Sequence, residues 1–297
     1  MINDNRQLYR SEAGYLQQMK FYDLELDRWE VQPELLSVQT RYGDTHILRA
    51  GDPAKPALMF FHGWSGNASG TRTELDLLRL SQHFCIYSPD TIGQSGKSAP
   101  SRPDTANSPY GDWIVDVLDG LHINEVYVSG ISGGGYLSLK AASYAPDKVK
   151  RVFAMSSAGL VSLSRPPFRF LLNAMQAMIG LPWGARNFVK LMLSPDFQDQ
   201  KVIEEMAQGM KMMIGQMKPV AGPKALSDEE LRWIQCPVKI VMGKYDMAIH
   251  PLKTIERAGQ FIPNVQTHLI EAGHIMTLEK RDWLMAELLR FFGMDDD

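Results

Sequence analysis

The sequence predicts an α/β protein: one mostly parallel sheet opened by an antiparallel hairpin, with helices on both faces and a single helical insertion. Three observations predict it. Apolar runs of strand length recur along the chain with helix-like stretches between them. The runs are continuous rather than alternating, which suits strands buried on both faces. The rhythm breaks once, between residues 159 and 233, where helical periodicity takes over. With 297 residues, 44% of them apolar and 22% charged, the chain has the length and balance to bury a sizeable core.

The elements follow in order. After a polar leader that reads as helix, LLSVQTRYGDTHILRAG alternates around Tyr42-Gly43-Asp44, as two antiparallel strands joined by a tight turn do. Strand-like runs come next at 57–62, 84–90, 125–131, 149–155, 238–246 and 266–274. The last segment, RDWLMAELLRFF, has apolar residues at 283, 284, 288, 289, 291 and 292 and reads as an amphipathic helix. Residues 1–158 and 234–297 are therefore expected to form one core, split by a helical insertion over 159–233. Inside it, Val202, Ile203, Met206, Met210, Met213, Ile214 and Met217 fall at three- and four-residue steps, giving one apolar helix face. Eight of the seventeen methionines lie there, and Ser227 with Glu230 forms a capping-box pattern at its exit.

Composition narrows the function classes. A net charge of −3, spread thinly, argues against a generally basic nucleic-acid binder. The N-terminus lacks the basic-then-apolar layout of a signal peptide, and the longest uncharged stretch, 170–185, is interrupted by Asn173 and Gln176. A soluble cytoplasmic protein without a membrane span is the expectation. Two cysteines, Cys85 and Cys236, provide neither a disulfide framework nor a CxxC site.

The chemistry is carried by a strand-to-helix turn. The run ending at Ile131 passes into GISGGG, so Gly130-Ile131-Ser132-Gly133-Gly134 matches the GxSxG nucleophile elbow. The sharp turn needs nearly side-chain-free neighbours two residues either side of Ser132, and Gly130 and Gly134 meet that need. A serine hydroxyl is a weak nucleophile until an adjacent base takes its proton, and a carboxylate must orient that base. The chain order for this elbow is Ser, acid, His. Three histidines follow Ser132. His268 lies within a strand run and His250 sits beside the candidate acid, which leaves His274, just past a strand end, as the base. Asp246 ends the run VKIVMGKYD and is the candidate acid; the end of the preceding core strand reads Ser156-Ser157 instead. Asp90 also ends a strand but precedes Ser132, and is read as a loop-ordering residue. Negative charge on the reacting carbonyl needs positioned N–H donors. Gly133 supplies one and Trp64, in FFHGWSG after the first parallel strand, the other; His62 is read as structuring that loop.

In this order and spacing HGW, SPDTIGQSG, GISGGG, GKYD and AGH resemble the α/β-hydrolase fold family. TRYGDTHILRAG, YGDWIVDVLDGL and the closing AGH and RFF segments are similar, more narrowly, to bacterial serine carboxylesterases of the naproxen-esterase type. The resemblance covers nearly the whole chain and fades in the insertion, which it implies to be a cap over the active site. It implies hydrolysis of small apolar esters with no metal or organic cofactor. Gly133 departs from it, standing where such esterases usually carry a larger apolar residue, and Trp64 is bulkier than expected beside the hole. Carbon-carbon bond hydrolases, lactonases, thioesterases, aminopeptidases and cofactor-free perhydrolases share the Ser-Asp-His set and stay open. Haloalkane dehalogenases and epoxide hydrolases place Asp at the elbow, against Ser132. IGQSGKS approaches a phosphate-binding loop, but its first glycine would have to be Thr91. A ligand-binding protein on the same scaffold is a further class, although all three triad positions are filled.

Overall fold

The protein, as a computed structural model, is described over residues 4–104, 109–162, 168–179, 181 and 183–294. Helix α1 (Glu12–Leu26) precedes the hairpin β1 (Glu34–Thr40) and β2 (Gly43–Ala50). Then come β3 (Ala57–Phe61), α2 (Thr71–Glu74), α3 (Leu77–Ser81), β4 (Cys85–Pro89), α4 (Pro109–Gly120), β5 (Val126–Ile131), α5 (Gly133–Tyr144) and β6 (Val149–Met155). After α6 (Phe168–Met178), α7 (Gly184–Leu191), α8 (Gln200–Gln216) and α9 (Asp228–Arg232), the sheet resumes with β7 (Val238–Gly243). Helix α10 (Pro251–Phe261), β8 (Val265–Ile270) and α11 (Met276–Phe292) complete the chain.

The eight strands form one sheet in the order β1-β2-β4-β3-β5-β6-β7-β8. Its β1/β2 and β2/β4 pairs are antiparallel and all the others parallel. The hairpin closes at Thr40 opposite Gly43, whose φ of +106° is open to glycine alone at little cost. On β3, side chains alternate faces as strand geometry requires. Met59 and Phe61 enter one core with Trp113 and Leu137, beneath α4 and α5; Leu58 and Phe60 enter the other with Tyr22, Leu80 and Leu288, beneath α1, α3 and α11. Each fully buried side chain of this size contributes about 2 to 3 kcal/mol of transfer free energy.

Two elements depart from expectation. The run at 266–274 is a strand only to Ile270, and its central residues are exposed. It is the edge of the sheet, with one hydrogen-bonded neighbour, so it is not buried on both faces as the central strands are. The closing helix begins five residues before Arg281 and bends at Lys280, whose φ of −138° is not helical.

Between β6 and β7 the described residues hold four helices and no strand of the sheet. The first three share a small core of Ala177, Phe188, Val189, Met192, Leu193 and Ile203, against which Ala248, Ile275 and Leu278 pack, while Leu231 of α9 joins the core beneath α4 and α5. On α8, Ile203 is buried and Met206 and Met210 line this core, while Met213 and Ile214 lie outside the described side chains. Phe188 is buried, whereas Phe168, Leu171 and Trp183 are exposed; the side chain of Phe170 is not among those described. The Ser227 capping box is present, with Ser227 Oγ accepting from Glu230 N and the Glu230 carboxylate accepting from Ser227 N. The chain's leader fastens the far end of α8: Lys218 N donates to Leu8 O and Arg10 N to Gln216 O.

Candidate active site

Ser132 occupies the turn between β5 and α5 with φ 56° and ψ −115°, a backbone state that costs a non-glycine residue about 1 to 3 kcal/mol. Neighbouring chain holds it there. Ser132 N donates to Met155 O at the end of β6, and Ser132 O accepts from Ala158 N, each at 2.9 Å. Glycine is required on both sides: a Cβ at Gly134 would lie 1.9 Å from Phe61 O, and one at Gly130 would lie 2.4 Å from Gly134 O. The part-buried Ser132 hydroxyl has no hydrogen-bond partner among the described residues.

Asp246 and His274 meet at the same edge of the sheet, on the loops after β7 and β8. A Cβ at Gly243 would lie 2.2 Å from Gly273 O, so the two loops run in close contact. Asp246 Oδ1 accepts from Ala248 N at 2.8 Å and Ile249 N at 2.9 Å, which turns its Oδ2 to accept from His274 Nδ1 at 2.8 Å. Both side chains are buried. Donation from Nδ1 leaves Nε2 of a neutral His274 with a free lone pair. The structure brings acid and base together; it does not join Ser132 to His274 by a hydrogen bond.

The loop after β3 faces Ser132. An ideal Cβ at Gly63 would stand 3.9 Å from Ser132 Cβ, and one at Gly133 would stand 2.9 Å from Trp64 N. Gly133 therefore lies against the backbone of Trp64, the residue expected to supply the other donor. His62 fixes the direction of one of them. Its Nε2 accepts from Thr91 N at 3.1 Å, so the ring proton is on Nδ1, which donates to Gly63 O at 2.9 Å. Gly66 N also donates to Gly63 O, at 3.0 Å. In a planar trans peptide, pinning Gly63 C=O aims Trp64 N–H the opposite way. Burial holds the His62 pKa below its ordinary value, keeping the ring neutral in this role. The Trp64 ring sits edge-on to Tyr110 and Tyr136, and its Nε1 donates to Ala221 O at 2.8 Å, in the chain leaving the insertion.

Asp90 orders the adjacent loop from within. Burial pushes its carboxyl upward, but the His46 hydrogen bond and the Ala68 and Lys97 N–H groups outweigh it and leave the pKa lowered. Tyr22 Oη of α1 also donates to it, at 3.1 Å. Glu279 was not legible as a site residue: its Oε1 accepts from Gly273 N at 2.7 Å and Ser194 N at 3.1 Å, stitching the His274 loop to the insertion. No motif marks it, because its partners are backbone groups, one of them, Ser194 N, far away in sequence. Among the described residues, no group of three His, Cys, Asp or Glu side chains is placed to hold a metal ion, and no helix is long and apolar enough to cross a membrane.

The sheet order, the strained serine turn and the two loops beyond it define an α/β-hydrolase fold. Residues 56–199 match the model of a family described as alpha/beta hydrolase fold. Over 298 residues the chain is 28% identical to carboxylesterase YbfK of Bacillus subtilis (strain 168), covering 98% of each. It is 26% identical over 284 residues to the uncharacterized carboxylesterase nap of the same organism, covering 92% of this chain and 91% of that one. The crystal structure of naproxen esterase (carboxylesterase NP) from Bacillus subtilis superposes with a TM-score of 0.78 at 24% identity, covering 98% of this chain and 99% of that one.

Proposed function

We propose that the protein is a serine carboxylesterase that cleaves small uncharged esters through an acyl-enzyme on Ser132. The observation that carries this reading is the His274 Nδ1 to Asp246 Oδ2 hydrogen bond, made at the edge of the sheet where the strained Ser132 turn stands. Full-length similarity to proteins named carboxylesterases supports the ester as substrate.

In the proposed reaction Ser132 Oγ attacks the ester carbonyl carbon while its proton passes to His274 Nε2. Asp246 holds the imidazole in the tautomer that can accept it and stabilises the imidazolium that forms. The carbonyl oxygen becomes an oxyanion that receives N–H from Gly133 and Trp64. Collapse breaks the carbon–oxygen ester bond, and His274 returns the proton to the departing alcohol. A water, deprotonated by His274, then attacks the acyl carbon; Ser132 leaves as the free hydroxyl and the carboxylic acid is released. Gly130 and Gly134 permit the turn. Residues 1–158 and 234–297 form the catalytic core, and 159–233 the cap. The backbone of Met192 and Leu193 backs onto Gly273 beside the base, bringing the insertion against the His274 loop. The chemistry is complete without metal or organic cofactor, and the buried free thiols of Cys85 and Cys236 fit a cytoplasmic setting.

The test is a panel of p-nitrophenyl acyl esters of increasing chain length beside a lactone, an aminoacyl amide and a vinylogous diketone. The reading expects the acyl esters to be turned over best. Turnover of the diketone alone would replace it with carbon-carbon bond hydrolysis.

A further inference from the structure

The backbone of the proposed base is held on both sides by groups outside the sheet. Gly273 N donates to Glu279 Oε1 at 2.7 Å, and Ile275 N donates to Met192 O at 3.0 Å. The same Glu279 oxygen accepts from Ser194 N at 3.1 Å. Met192 and Ser194 belong to the chain that leaves α7, and a Cβ at Gly273 would lie 2.4 Å from Met192 O and 2.5 Å from Leu193 C. The insertion and the His274 loop thus run backbone against backbone.

The loop needs this support. It follows β8, the edge strand, so the sheet lies on one side of it only. On that side Tyr245 N donates to Ala272 O at 3.0 Å, joining the loops of acid and base. On the other side stands the insertion. Glu279 occupies a local break in α11: it ends a first turn in which Leu278 N donates to Ile275 O, and Lys280 then leaves helical geometry at φ −138°. From there its side chain turns back to Gly273, six residues earlier.

We propose that Glu279 is a positioning residue for His274, its side chain clamping the loop of the base to the insertion, so that the insertion helps to place His274 Nε2 relative to Ser132. The inference rests on the serine-esterase reading above and adds that the insertion acts on the base as well as covering the site. Without the Glu279 oxygen, the N–H groups of Gly273 and Ser194 lose a shared acceptor, and a buried donor left unpaired is costly. Gly273 is buried, so its N–H can regain a partner only if the loop moves away from the insertion. His274 is the next residue and moves with it. Proton transfer from Ser132 requires hydrogen-bond reach, and a misplacement of about 1 Å costs roughly 100-fold in rate.

The test compares kcat and KM of parent, Glu279→Gln, Glu279→Asp and Glu279→Leu on a p-nitrophenyl acyl ester. Active sites are counted by fluorophosphonate titration, so that unfolded molecules do not enter kcat, and circular dichroism follows the fold. Glu279→Leu has no acceptor and Glu279→Asp keeps the charge with a shorter reach; each should lower kcat roughly 10- to 100-fold with KM changed by less than about threefold. Glu279→Gln keeps an oxygen at the same reach and should stay within about threefold of parental kcat. A purely structural residue would lower the melting temperature and leave kcat per active site unchanged. Parental kcat in the leucine or aspartate variant, a loss confined to KM, or a glutamine variant as impaired as leucine overturns the inference. If one of the leucine and aspartate variants fails to fold, the other decides; loss of the fold in both makes Glu279 a structural residue and also overturns it. Ser132→Ala run beside them separates the two levels: no turnover there with parental kcat in Glu279→Leu refutes the role of Glu279 alone. Turnover surviving Ser132→Ala refutes the esterase reading and this inference with it.

Discussion

Gly133 and Trp64 fit each other with no room to spare: a methyl group at position 133 would stand 2.7 Å from Trp64 Cβ and 2.9 Å from its Cε3 and its backbone N. The glycine that looked out of place in sequence is the complement of the tryptophan that also looked out of place. Gly133→Ala is expected to displace the Trp64 N–H and lower kcat roughly 100-fold, the effect of losing one oxyanion donor. Adding Trp64→Ala should not restore it, since the Cβ and the backbone nitrogen remain in the way. Steady-state kinetics of both variants check this, and full recovery in the double variant would show that only the indole ring was in conflict.

Asp246 differs from an ordinary surface acid because both its oxygens are occupied, one by Ala248 and Ile249 N–H and the other by His274. Asp246→Asn preserves its shape but can offer an N–H where His274 needs an acceptor. It should leave a folded protein with kcat reduced roughly 10⁴-fold, the size of the corresponding change in a serine protease. Thermal melting and single-turnover kinetics measured together separate the two effects; a variant within about tenfold of parent activity would remove Asp246 from the triad.

Much of this was legible in the sequence, for physical reasons. Gly130, Ser132 and Gly134 are adjacent in the chain, and the steric demands of the turn are local. That Asp246 and His274 meet could be read ahead because parallel strands deliver their ends to one edge of the sheet. Glu279 and Tyr22 were not. Each acts on groups remote in sequence, largely backbone, and a carboxylate that binds an N–H leaves no pattern in the residues it binds. The exposure of β8 escaped for a related reason: an edge strand and a buried one can carry similar apolar runs, and only the strand order separates them.

Asp90 should matter to stability more than to chemistry. Its folded-state pKa lies below the ordinary 3.8, so its contribution is present in full above that value and is lost as the pH falls through the lower folded one. Asp90→Asn is expected to cost roughly 2 to 3 kcal/mol at pH 7, the worth of hydrogen bonds to a charged acceptor, and to flatten the loss of stability in acid. Urea unfolding of parent and variant at pH 7 and pH 3 measures both. An equal difference at the two pH values would mean that ionisation of Asp90 contributes nothing.

The apolar insertion sets an expectation for substrates. Each methylene added to the acyl chain contributes at most about 0.8 kcal/mol when buried, so kcat/KM should climb severalfold per carbon and then level off. Charged acyl groups of the same length should react poorly. A flat profile across chain lengths, or a preference for anionic or cationic esters, would show that polar contacts decide specificity.

The central claim is that Ser132 is the nucleophile, and covalent capture tests it most directly. Intact-mass spectrometry after treatment with a fluorophosphonate should show one adduct, mapped by peptide sequencing to Ser132. Ser132→Ala should keep the parent's melting temperature within a few degrees, take up no label and hydrolyse no ester. Labelling at another residue, or ester turnover by the alanine variant at near the parent rate, would contradict it.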